Sequence, residues 1–107
     1  MKINVFLDDN RTCPNDHILV ENIDECINLL ETFHIEHLSL DHDLVNKTRN
    51  GLMLVHHMVS NKLFAERITI HSANSGAGRA MYKYFKQAQV DLLMPGTIKV
   101  LLRPLPI

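Results

Sequence analysis

The sequence predicts an α/β domain in which helices flank a parallel sheet. Short, β-rich apolar runs alternate with stretches of helical periodicity along the 107 residues, the pattern of βαβ units. Several of those runs stop abruptly at acidic or histidine residues, as buried strands do at a polar sheet edge. No repeat, linker or low-complexity stretch interrupts the alternation, so residues 1–107 read as a single domain around one modest core.

Lys2 to Leu7 is the first strand, ending at Asp8-Asp9. Pro14 and Asn15-Asp16 are turn formers, and His17 to Val20 is a second short strand. Asn22 reads as an N-cap with Glu25 in the capping-box position. Ile23, Cys26, Ile27, Leu30 and Phe33 then follow at helical spacing. His37 to Leu40 is a strand that ends in Asp41-His42-Asp43. A polar loop leads to Asn50-Gly51 and a helix carried by Leu52, Val55, Met58 and Val59. Arg67 to Ile70 is a strand ending in His71-Ser72. After the small, polar stretch from Ala73 to Gly78, a third helix is marked by Ala77, Met81, Tyr84, Phe85 and Ala88. Pro95-Gly96 is a turn, Thr97 to Leu102 a last strand, and Pro104 and Pro106 end regular structure. The first two strands are joined by a loop too short for a full helix.

Composition excludes several classes. A net charge of -1 gives no broad electrostatic surface for double-stranded DNA, although a small nucleotide or an RNA end needs only a local site. Two cysteines make no disulfide framework; Cys26 reads as helix core, Cys13 as a loop residue, and both as reduced thiols. No apolar run is long enough to span a membrane, and MKINVFLDD enters a strand directly, with no leader-like segment. The expectation is a cytoplasmic protein without membrane partners. Most of the seven histidines have plain readings. His34, His37, His56 and His57 lie on or beside helical patterns, and His17 lies in a loop. His42 and His71 alone fall at strand ends.

Open parallel sheets bind ligands beyond the carboxyl ends of their strands. Asp8-Asp9, Asp41-His42-Asp43 and His71-Ser72 gather on that edge. Four carboxylates in a small volume repel unless a cation is present, and oxygen-rich sites suit Mg²⁺ or Mn²⁺. Asp8, Asp9, Asp41 and Asp43 are therefore the candidate metal ligands, leaving coordination positions for phosphate oxygens. Imidazoles titrate near neutrality, which suits His42 and His71 to acid–base work on a phosphoester. The run Ser72-Ala73-Asn74-Ser75-Gly76-Ala77-Gly78 brings backbone N–H groups and a helix N-terminus toward an anion, with Arg79 adding a guanidinium. Ser and Gly also mark plain turns and caps. Arg11 is either a phosphate clamp or a surface ion-pair partner of a neighbouring Asp.

DDNRTCP, SLDHDL, Gly51 and IHSAN, in this order, resemble the cyclic-phosphate processing receiver domains over almost the whole chain. The resemblance implies a receiver-like (flavodoxin-like) fold with the first receiver helix reduced or missing, and action on cyclic phosphates of nucleotides or RNA ends. By resemblance to receivers, Asp8 and Asp9 match the acidic pair, Asp41 the phosphoryl-accepting residue and Ser72 the hydroxyl residue after the fourth strand. His42, Asp43, His71 and Asn74 match the family's added polar set, and Arg11 the arginine of its first motif. Two features depart from the pattern. Lys99 lies inside the predicted last strand instead of at its end. Ser75-Gly76-Ala77-Gly78 stands where the family continues Pro-x-Gly.

The sequence thus supports a metal-dependent phosphoesterase for a cyclic phosphodiester. Asp41, His42, His71 and Ser72 are its candidate catalytic residues, and Arg11, Asn74, Ser75, Gly76 and Arg79 its candidate substrate contacts. Two other readings stay open: a module that binds a cyclic nucleotide without turning it over, and a receiver phosphorylated on Asp41.

Overall fold

A computed structural model describes residues 2–44 and 49–103. The expected polar loop before Asn50 and the expected chain end at Pro104 and Pro106 lie partly or wholly outside the described residues. The elements run β1 (Lys2–Leu7), β2 (Ile18–Val20), α1 (Ile23–Thr32), β3 (His34–Leu40), α2 (Gly51–Asn61), β4 (Arg67–Ile70), α3 (Ser75–Val90) and β5 (Lys99–Leu102). All strand pairs are parallel, in the order β2-β1-β3-β4-β5. No helix joins β1 to β2, as the short connection predicts. The helices start where polar side chains cap them: Asn22, Asn50 and Asn74 each accept a backbone N–H from the first turn, those of Glu25, Met53 and Ala77. Among the described residues no helix is long and apolar enough to cross a membrane.

Several boundaries differ from the sequence reading. β3 begins at His34, three residues before the expected start at His37, so His34 belongs to a strand and not to a helical pattern. Phe33 is the C-cap of α1 and is exposed. α3 begins at Ser75, so Ser75 and Gly76 form its first turn and not a loop. β2 and β5 are each shorter than expected. Lys99 opens β5 at the sheet edge opposite the acidic strand ends, exposed to solvent.

The two faces of the sheet are built differently. Side chains alternate along a strand, and one set (Val5, Leu7, Leu38, Leu40, Ile68, Ile70, Val100) joins the buried residues of all three helices in one apolar core. The other set is mixed, with polar side chains in the middle of the sheet and Leu19 and Leu101 toward its edges. Register places Asn4 beside His37, Phe6 beside Ser39, and Ser39 beside Thr69. Phe6 is buried but stands outside the apolar core. Among the described residues this face carries no helix. It is closed by rings laid over the strands: Phe6 stacks on His71 at 4.4 Å and 1° and meets His17 edge-on.

Two hydrogen-bonded lines cross that face. Asp16 accepts from His17 Nδ1 at 2.7 Å, His17 Nε2 and His37 Nδ1 share a hydrogen bond at 2.8 Å, and His37 Nε2 and the Thr69 hydroxyl share another at 2.8 Å. In the second line Ser39 bonds His71, and His71 bonds Asp8. Burial pushes the His37 imidazole down to about 4; Arg67, His17 and His71 add to the shift, and Asp16 opposes it. Its folded form is therefore neutral. The stability this provides is complete above the ordinary histidine range near 6.5 and is lost as pH falls from there toward 4. Allowing for partial exposure, the effect amounts to about 1–2 kcal/mol. Between pH 7 and 4.5 the melting temperature of the native chain is expected to fall more steeply than that of His37→Gln. Parallel slopes for the two chains would remove this account.

Candidate functional site

Asp8 organises the site. It follows β1 with no exposed surface. Its Oδ1 accepts the backbone N–H groups of Asn10 at 2.9 Å and Arg11 at 3.0 Å. This local turn is one that aspartate favours because its side chain reaches the backbone just ahead. The turn folds Arg11 back over the strand end. Arg11 Nη1 then lies 3.2 Å from Asp8 Oδ2 and 3.4 Å from Asp41 Oδ2. His71 Nε2 bonds the same Asp8 oxygen at 3.0 Å. Burial raises the Asp8 carboxyl, but those N–H donors, Arg11 and His71 together hold it below the ordinary range. Asp41, 2% exposed, shifts the other way: burial and then the Asp8 charge raise it, against the opposing Arg11 and His42 N–H. One guanidinium thus serves two carboxyls whose acidities are pushed apart, Asp8 down and Asp41 up.

The two candidate histidines are placed differently. His71 is 3% exposed, and both its ring nitrogens are engaged. An ionised Asp8 only accepts, so Nε2 carries the proton, and Nδ1 accepts from the Ser39 hydroxyl at 2.5 Å. Burial lowers its pKa more than Asp8 raises it, which agrees with a neutral ring. His71 therefore holds Asp8 in place. His42 lies on the strand-end loop with Nδ1 bonded to Asp43 Oδ1 at 2.7 Å, and Asn74 Nδ2 approaches the same oxygen at 3.4 Å. Among the described residues nothing engages His42 Nε2. A carboxylate that orients one imidazole nitrogen and leaves the other open is the arrangement of an acid–base dyad.

The remaining candidates surround α3. Ser72 is buried, and its Oγ accepts the Asn74 N–H at 3.1 Å. Asn74 caps α3, and exposed Ser75 and Gly76 open its first turn. Arg79 is exposed one turn further on. Asp9 does not join Asp8 and Asp41; it lines a cavity of about 190 Å³ with Glu21, Asn22, Ile23, Asp24, Leu44 and Arg49.

The four carboxylates expected to share a metal are thus divided. Asp8 meets Asp41, Asp9 lines the cavity, and Asp43 is spent on His42 and Asn74. Among the described residues no three His, Cys, Asp or Glu side chains are grouped to hold a metal ion. A carboxylate offers about four lone-pair positions, and Asp8 uses them on Asn10, Arg11 twice and His71. This arrangement does not fit the expected Mg²⁺ or Mn²⁺.

Sequence reading passed over Ser39, His37 and Phe6. The signal was present: Asn4-x-Phe6-x-Asp8, His37-x-Ser39-x-Asp41 and Thr69-x-His71 repeat at a period of two, the spacing of one strand face.

A parallel sheet of this order with acidic residues at its carboxyl edge defines a receiver-like α/β domain. The cyclic-phosphate processing receiver domain family matches over residues 3–87, from β1 through most of α3, and the chain belongs to that family. No curated protein matches it.

Proposed function

We propose that the chain binds a cyclic phosphate of a nucleotide or RNA end at the carboxyl edge of its sheet and opens the ring by hydrolysis. The observation that carries this is the pairing of a held guanidinium, Arg11, with an oriented imidazole, His42. Arg11 spends one nitrogen on Asp8 and Asp41 and is 30% exposed, so its other N–H groups can receive phosphate oxygens. The N–H groups of Ser75 and Gly76 at the start of α3 add donors to the same anion, and Arg79 adds charge. His42 Nε2 takes a proton from water as the water oxygen bonds to phosphorus. The phosphorus bond to one ring oxygen breaks, and that oxygen takes up the proton that His42 Nε2 received. The product is a linear phosphomonoester. Such a substrate is small and soluble and involves neither membrane nor double-stranded DNA. It suits a cytoplasmic protein whose Cys13 and Cys26 are free thiols.

A phosphoacceptor role is less well supported, because Asp41 is enclosed and Lys99 stands at the other end of the sheet. The test is a product assay by phosphorus NMR on 2′,3′-cyclic, 3′,5′-cyclic and oligomeric cyclic nucleotides. His42→Gln is expected to lower turnover by about 10²–10⁴-fold while ligand binding and melting temperature hold. Equal turnover in His42→Gln would remove the dyad. Tight binding with no product from the native chain would make the domain a binding module.

A further inference from the structure

We infer that Arg11 is the resident cation of this site: its guanidinium stands where a divalent ion would bridge Asp8 and Asp41, and phosphate binds without metal. The inference rests on phosphate being the ligand, and it concerns what neutralises the site. Three observations support it. Arg11 Nη1 contacts one oxygen of each carboxylate, at 3.2 and 3.4 Å, so the space between them is filled by a charged donor. Every acceptor position of Asp8 is taken, so a metal would have to strip a buried carboxylate of a bond it already makes. The placement of Arg11 is also built into the backbone. Asp8 Oδ1 closes the turn by binding the N–H groups of Asn10 and of Arg11 itself, so the residue that neutralises the site is positioned by the carboxylate it neutralises.

The chemistry differs from that of a metal site. A hard divalent ion exchanges water and binds phosphate through vacant coordination positions. A guanidinium has a fixed fork of donors that matches two phosphate oxygens side by side and carries its charge at every working pH. It also excludes the ion, because both need the same carboxylate oxygens. Lysine has the charge without the fork, so Arg11→Lys is expected to keep part of the function and Arg11→Ala none.

Two probes test this separately. Mn²⁺ alone, titrated into the protein and followed by electron paramagnetic resonance, is expected to find no site tighter than about 1 mM in the native chain. Arg11→Ala is expected to gain one at least about tenfold tighter as Asp8 and Asp41 lose their counter-charge, and Arg11→Ala with Asp41→Asn to lose it again. Micromolar Mn²⁺ binding by the native chain, unchanged in Arg11→Ala, would overturn the inference. Inorganic phosphate in the presence of EDTA is expected to raise the melting temperature of the native chain, less so that of Arg11→Lys, and not that of Arg11→Ala. A rise that requires Mn²⁺ would also overturn it. If phosphate binds under neither condition, the phosphate reading of the site fails, and the Mn²⁺ titration still decides what occupies the space between the carboxylates.

Discussion

Gly51→Ala is expected to destabilise the domain by at least about 3 kcal/mol, which lowers the melting temperature of a chain this size by about 12 °C or more. A methyl group at Gly51 would stand 2.4 Å from the Asp41 carbonyl oxygen and 2.8 Å from the His42 Cα. Both are backbone atoms, so no side-chain rotation relieves the clash. The Gly51 N–H also bonds the His42 carbonyl at 3.1 Å. The first residue of α2 is thus pressed against the end of β3, where Asp41 and His42 emerge. No positive φ is involved at Gly51; the need is for space alone. Thermal unfolding by circular dichroism checks the prediction. A drop of only a few degrees would mean that α2 can back away from the strand end at little cost.

His71→Ala is expected to cost about 3 kcal/mol of stability, through packing and through hydrogen bonding. Removing the ring leaves a hole against Phe6, which stacks on it, and deprives the Ser39 hydroxyl and one Asp8 oxygen of their shared partner. His71→Phe separates the two effects. It restores a ring against Phe6 but no hydrogen bonds, and is expected to recover only part of the loss. The comparison with His42 is diagnostic: urea unfolding should report His71→Ala and leave His42→Gln near the native chain. If His71→Ala kept full stability and lost only turnover, the positioning role assigned to His71 would be wrong.

The sequence made the frame of the fold legible because buried parallel strands are apolar runs that stop where the sheet stops. Lys2 to Leu7 and Arg67 to Ile70 were readable to the residue for this reason. The start of β3 was not. Phe33 falls at helical spacing from Leu30, and the polar alternation of His34-Ile35-Glu36 carries no apolar run. Asn22 with Glu25 identified the start of α1 because capping is a local interaction. The candidate site was legible as a place but not as an arrangement. Strand order brings Asp8, Asp41 and His71 to one edge, whereas the division of the four carboxylates depends on the course of each loop beyond its strand. The same limit applies to His42 and His71. Both are histidines at strand ends, and only the hydrogen bonds of the folded chain show one ring half open and the other held on both sides.

The sheet face that carries no helix among the described residues has a thermal consequence. Apolar surface exposed on unfolding raises the heat capacity, and polar surface lowers it. In this domain the middle of one sheet face is covered by imidazoles, hydroxyls and carboxylates around the Phe6 ring, with Leu19 and Leu101 toward its edges. Unfolding exposes less hydrocarbon than a sheet with helices on both faces would. The stability curve should therefore bend less with temperature, leaving the domain's margin of stability comparatively even between cold and warm conditions.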